Sequence, residues 1–487
     1  MKTATRVISV LVLYAILSSG SYAQKPDRSA PPNVGPPPAF TMPPFERFTL
    51  SNGLRVVLLE KHQVPLVQIN VVIKTGSVLD PPGKTGLASM MAAMMTEGAG
   101  KRDALQLADA IDYLGAQMGA SAGMHTSAVT LQTPVARLDS ALALQADVLL
   151  RPAFASPELE RKRTSRLTTL LQWRDEPRSL VSLAFNRQLY GSEHPYGVPA
   201  IGDEQAIRSL RVEDLQQFHA RTIRPANAFV IVVGDVTVAQ MKPKLEGAFG
   251  GWKGTPTAGA PLPPIAQVKK RSVMIVDKPG APQTEIRIGR IGAPRVTDDY
   301  YALLVMNTIL GGSFSSRLNQ NLREAHGYTY SASSGFAFWL LPGPFLAGAA
   351  VHTAVTDSAL MEFMKEFEAM RAPVPDTDLE RAKNYIALGF PAEFQTVGEI
   401  AGKLEEMVIY DLPDAYFSDY IGRVLAVTKA DVQRVARTYL DPATMSVVLV
   451  GDRASIEKNV AAMNLGPLSR KTVEDVLGKA PVVEGSK

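Results

Sequence analysis

Cysteine is absent from the 487-residue sequence. Disulfides, thiolate nucleophiles, thiolate metal ligands and a lipid-modified cysteine anchor are therefore excluded. Histidine is scarce: His62, His125, His194, His219, His326 and His352 are the whole set. No two of them stand three or four residues apart, the spacing that puts two imidazoles on one helical face around a metal. Beyond the first residues, no run reaches the ~20 apolar residues that a bilayer-spanning helix needs, so no stable membrane insertion is expected. Long basic stretches and RNA-type aromatic motifs are also missing, which argues against nucleic acid as a partner. No lysine follows Gly311-Gly312 at phosphate-loop spacing, so that pair reads as a flexible turn.

What is present is the composition of a globular protein, 46% apolar and 20% charged, long enough for several domains. The formal charge is +4, from 51 basic and 47 acidic residues. Lys2 and Arg6 precede the apolar run Val7–Leu17, followed by Ser18-Ser19-Gly20-Ser21-Tyr22-Ala23. This is the pattern of a secretory signal peptide over residues 1–23, with an uncleaved anchor as the competing reading. A periplasmic or secreted location follows as the expectation. Residues 24–45 hold eight prolines and read as an extended tether, with ordered sequence starting near Phe45.

The remainder is one unit written twice. At an offset of 217, Asp214 falls on Asp431, Gln216 on Gln433 and Pro225-Ala226 on Pro442-Ala443. Val233-Gly234-Asp235 falls on Val450-Gly451-Asp452, Lys61 on Lys278 and Pro65 on Pro282. Each matched stretch near the end of a unit reads as helix, Pro turn and buried β-branched strand. Helical spacing marks Leu105–Leu114, Leu138–Leu150 and Arg161–Trp173, and strands cluster at both ends of each unit. The expected fold class is α+β: two similar halves, each a mostly antiparallel sheet with helices packed on it. The halves are 46–253 and 268–470, joined by the Pro/Gly/Ala-rich linker 254–267 and followed by a tail, 471–487.

Several motifs carry a resemblance: Gly86-Leu87-Ala88, His194-Pro195-Tyr196-Gly197, Leu310-Gly311-Gly312-x-x-Ser315-Ser316-Arg317-Leu318 and Arg323-Glu324-x-x-Gly327-x-x-Tyr330. Over residues 46–465 the chain resembles the pitrilysin/insulinase-type zinc peptidases, which include mitochondrial processing peptidase and the core proteins of respiratory complex III. The resemblance implies a clamshell of two halves closing around a peptide. Active members carry H-x-x-E-H directly after Gly-Leu-Ala, two histidines sharing a zinc and a glutamate polarising its water. Here Ser89 and Ala93 stand at the histidine positions and Ala92 at the glutamate. The family's third ligand falls on Thr169, reached both by counting 76 residues on from Ala93 and by counting eight back from Pro177. All three ligands and the base are missing, and the methionines Met90, Met91, Met94 and Met95 read as core packing. His125 is expected on a strand and His194 in a turn.

The second half differs. In the family an Arg and a Tyr seven residues later bind the substrate backbone and stabilise the developing oxyanion, and the resemblance carries these roles to Arg323 and Tyr330. A helix over Ser315–His326 ended by Gly327 is expected to present them. No catalytic residue, metal ligand or cofactor of the chain's own is expected. The leading implication is a substrate-binding subunit that pairs with a zinc-bearing relative and takes an unfolded peptide as an added strand. A purely structural or peptide-binding scaffold is the alternative, and an independent peptidase with a relocated metal the third reading.

Overall fold

The computed structural model describes residues 35–37, 39–255 and 262–482. The signal segment 1–23, the first part of the tether and linker residues 256–261 lie outside them. From residue 39 onward the described chain forms two six-stranded sheets. The first is built from β1 (Glu46–Thr49), β2 (Arg55–Glu60), β3 (Leu66–Ile73), β4 (Gln117–Ala122), β5 (Ser127–Pro134) and β6 (Ala228–Gly234), in the order β1-β2-β6-β3-β5-β4. The second comprises β7 (Ser272–Asp277), β8 (Gln283–Ile291), β9 (Thr329–Phe336), β10 (Pro344–His352), β11 (Ser446–Gly451) and β12 (Leu468–Lys471), in the order β12-β7-β11-β8-β10-β9. Only the β2–β6, β7–β11 and β7–β12 pairs are parallel.

The offset of 217 read from the sequence holds through the fold. It carries β2 onto β7 residue for residue, the helix Val212–Thr222 onto Lys429–Tyr439, and the turn Pro225–Asn227 onto Pro442–Thr444. The outermost strands break the symmetry. β1 precedes its repeat and lies antiparallel to β2, whereas β12 follows its repeat and lies parallel to β7.

The central strands explain the architecture. All seven residues of β6 and all six of β11 are buried, because consecutive side chains point to opposite faces and both faces are apolar. Each sheet therefore needs a layer on each side. One layer comes from its own half: Leu87–Met95, Leu138–Leu150 and Val212–Thr222 pack on the first sheet, and Tyr300–Leu310, Thr356–Met370 and Lys429–Tyr439 on the second. The other layer is exchanged. The helix Pro177–Tyr190 of the first half places Leu180, Val181, Ala184 and Phe185 against Val276, Val448 and Val450 of the second sheet. The helix Val397–Ile409 of the second half places Ile400, Ala401 and Leu404 against Val57, Val72, Phe229 and Ile231 of the first. The two helices occupy equivalent places in the repeat. Each has a defined start, Pro177 in the first turn of one and a Thr396–Glu399 capping box on the other.

A polar and aromatic joint adds to this exchange. The connection between β9 and β10 reaches the first half, where Leu341 N donates to the Tyr196 hydroxyl (3.3 Å), the Tyr190 hydroxyl donates to Pro342 O (3.1 Å) and the Trp339 ring lies 4.5 Å from that of Tyr196. Arg295 braces that connection from behind. Its backbone N donates to Trp339 O, and its buried guanidinium stacks 3.9 Å from the Tyr300 ring while bonding Glu406 and the Tyr416 hydroxyl.

Three boundaries differ from the expectation. Part of the proline-rich tether is docked: Met42 is buried, and Phe40 packs on Phe390 and Phe394. The apolar residues between its prolines find a ready groove among second-half helices. At the other end, 470 falls inside β12, and the supposed tail forms the helix Val473–Leu477, whose Val476 joins the core beneath the second sheet. The helix expected over Arg161–Trp173 runs from Ser156 to Asp175.

Leu404 is fully buried in the exchanged layer. Leu404→Ala should lower unfolding free energy by about 2–5 kcal/mol, measured by chemical denaturation. The half-exposed Met361→Ala should stay within about 0.5 kcal/mol.

Candidate functional site

The helix that would carry a zinc motif is Leu87–Met95. It starts at Gly86, whose φ of +85° a side chain would not tolerate, since a Cβ there would meet Ile201 O at 2.4 Å. Asp80 closes the helix start by accepting from Gly86 N (2.7 Å) and Ala88 N (2.8 Å). Burial pushes its carboxyl up to about 7, against the pull of those amides and of Arg166. Arg166 donates to Gly86 O and Ile201 O, and burial brings it down to about 10, so it stays cationic at neutral pH. Arg166 and Thr169 both lie on Ser156–Asp175, the helix that packs against Leu87–Met95. The two elements named from separate counts are thus neighbours in the fold.

The residues at the ligand positions do not fit zinc. The Ser89 hydroxyl donates to Ala200 O (2.5 Å), with Gly86 O as a second acceptor within reach (3.1 Å), and the Thr169 hydroxyl donates back to Ser165 O one turn earlier. Ala92 is buried, and no methyl group can ligate a cation or take a proton. Met90, Met91, Met94 and Met95 fill the core, as read from the sequence. Among the described residues, no group of three or more His, Asp or Glu is placed to hold a metal ion. His125 lies not on a strand but in the turn between β4 and β5. There its Nε2 is 2.6 Å from the Tyr196 hydroxyl, and burial holds the imidazole down at about 4. His194 caps the next turn by accepting from Tyr196 N.

Arg323 and Tyr330 are brought side by side, the guanidinium carbon 5.2 Å from the Tyr330 ring centre. Tyr330 is the second residue of β9 and is 86% exposed, so it is not core packing. The expected helix is shorter and wound differently: Asn319–Ala325 is a π-helix, closed by Gly327 at φ +63°. Arg323 meets Glu324 at 3.4 Å through Nε, while its two terminal nitrogens have no partner among the described residues.

Sequence reasoning missed two residues here. Asn319 is buried and ties three segments together. Its Nδ2 donates to Ser313 O and Ser316 Oγ, and its Oδ1 accepts from Ala332 N of β9. Phe314 also lies against Arg323, its ring centre 4.4 Å from the guanidinium carbon, and is 69% exposed. Its only sequence signal is an aromatic residue inside a loop of small ones, Gly311–Ser316. The two sheet edges also differ. The outer side of β9 is closed where Ser334 N donates to Gly311 O and Ala332 N to Asn319, whereas β4 pairs with β5 alone.

Two similar α+β halves, an emptied metal helix and an Arg/Tyr pair define a peptidase fold that has lost its own metal ligands. Residues 55–198 match the family model described as insulinase (peptidase family M16), and residues 209–386 match the peptidase M16 inactive domain. The chain belongs to this M16, insulinase-type peptidase family. Among its relatives, an uncharacterized zinc protease of Bacillus subtilis, YmxG, is 27% identical over 290 residues, spanning 60% of this chain and 69% of that protein. An uncharacterized zinc protease of Rickettsia bellii is 25% identical over 413 residues, 83% of this chain and 97% of that one. A crystal structure of a peptidase M16 inactive domain from Pseudomonas fluorescens superposes with a TM-score of 0.78 at 26% identity, covering 84% of this chain and 98% of that one. A protease from Helicobacter pylori shares the fold, with a TM-score of 0.77 at 22% identity over 84% of this chain and 100% of that one.

Purified without partners, the chain should carry zinc far below one ion per molecule by elemental analysis. Ser89→His alone should not change that, since one imidazole is not a site. A depressed histidine gives stability that is full above its unfolded value of 6.5 and is lost as pH falls toward about 4. Denaturation midpoints of His125→Gln should therefore fall less steeply than wild type across that window.

Proposed function

We propose that the chain is an exported, substrate-binding partner subunit in peptide hydrolysis, working with a relative that carries H-x-x-E-H and the zinc. The observation that carries this reading is the juxtaposition of Arg323 and Tyr330 in a chain whose own metal helix cannot hold zinc. A guanidinium with unpaired terminal nitrogens beside an exposed phenol is a pair of donors suited to a peptide carbonyl and the oxyanion it becomes. The open edge of β4, beside the emptied helix, supports an extended peptide added as a strand. Export rests on the Lys2/Arg6, Val7–Leu17 and Ala23 pattern. Among the described residues no helix is long and apolar enough to cross a membrane.

The test is reconstitution with an H-x-x-E-H relative encoded in the same genome, assayed with a fluorogenic unfolded peptide. The chain alone should give no turnover and the mixture should. Arg323→Ala and Tyr330→Phe should each lower the mixture's kcat/KM by about 10²–10³. Full turnover in both variants would overturn the reading. A stable complex that binds peptide and cleaves nothing would instead favour a scaffold.

A further inference from the structure

From the same corner of the second half we infer that Phe314 is a specificity-determining residue. Together with Tyr330 it contacts the Arg323 guanidinium, and it offers an apolar platform to the peptide residue beside the carbonyl that Arg323 holds. This rests on the peptide-binding role proposed for Arg323 and Tyr330. The guanidinium carbon is within cation–π reach of two rings, 4.4 Å from the centre of Phe314 and 5.2 Å from that of Tyr330. Cation–π contact with two rings restrains the guanidinium before a peptide arrives, while its terminal nitrogens keep their donors.

Both rings face water, Phe314 at 69% and Tyr330 at 86% exposure, although the backbone beneath them is fastened. Ser313 O accepts from Asn319 Nδ2 and from Ser316 N, the Ser313 hydroxyl donates to Thr308 O, and Asn319 joins this loop to β9. An anchored loop that holds a phenylalanine ring out in water, stacked on a cation with free donors, is a surface made for a partner that brings both an acceptor and an apolar group. An extended peptide supplies both.

The way the peptide meets this surface follows from the closed side of β9. Gly311 O and Asn319 Oδ1 already occupy the amides of Ser334 and Ala332, so a peptide cannot extend the ladder there. Contacts on this side are made through side chains, which discriminate, whereas the open edge of β4 would offer a backbone ladder, which does not. Aromatic and large aliphatic side chains gain the platform. A lysine or arginine would lose hydration against two rings and be repelled by Arg323, so basic residues are disfavoured at this position.

The experiment uses the full mature chain, and its complex with the zinc-bearing relative where one forms. Fluorescence polarisation is measured with labelled unfolded peptides identical except at one scanned residue, taken as Phe, Leu, Ala or Lys. Wild type should prefer Phe or Leu over Lys at one position by about tenfold in Kd. Phe314→Ala should compress that ratio to within about twofold, and Phe314→Leu should keep most of the ratio. Arg323→Ala should weaken every peptide. If Arg323→Ala weakens binding but Phe314→Ala leaves the ratio intact, this inference fails and the peptide-binding reading stands. If neither wild type nor its complex binds any peptide, both fail. Thermal unfolding of each variant guards against misreading a folding defect as lost selection.

Discussion

The two sheets are apolar on both faces, and neither half supplies enough helix to cover both faces of its own. Every residue of β6 and β11 is buried, so leaving one side of either strand open would expose a row of apolar side chains to water. Lending Pro177–Tyr190 in one direction and Val397–Ile409 in the other removes that exposure on both sheets together. The exchange packs each half against the other.

Within that frame the two halves have diverged at equivalent depths. In the first, the helix start is closed by Asp80 and Arg166, and the hydroxyls of Ser89 and Thr169 are spent on nearby carbonyls. Among the described residues no group of three or more His, Asp or Glu there is placed to hold a metal ion. In the second, the π-wound segment, the loop before it and the strand after it converge through Asn319, which leaves Arg323 with donors to spare. A π-helix puts about one extra residue into a turn and is intrinsically less favourable than an α-helix, so it persists where surrounding contacts dictate it. Here those contacts include Arg317 with Glu366 and Asn321 with Glu362 and Glu366.

Much of this is legible in the sequence. The single offset of 217 predicted the duplication, and β2 and β7 obey it without a gap. The helix Leu138–Leu150 was bounded as observed, and the family pattern brought Arg323 and Tyr330 together. Other features were not legible, for physical reasons. Amphipathic spacing reports that Val397–Ile409 has an apolar face but not which sheet that face meets. Composition marks residues 24–45 as proline-rich, yet Phe40 and Met42 are held by tertiary partners more than three hundred positions away. The exposure of Phe314 depends on the loop that Asn319 fastens, and residue type alone would place a phenylalanine inside.

The exchanged helices have a consequence for how such a molecule could arise. A single repeat, standing free, would carry one sheet with a bare face and one helix with nothing to cover, and two copies would cure each other in a closed pair. Joining the copies head to tail converts that association from one that depends on concentration to one that does not. It also releases each copy from the need to remain identical. Once the pairing is covalent, one copy can discard its metal ligands and the other can keep its donors, while the shared packing that holds both upright stays intact.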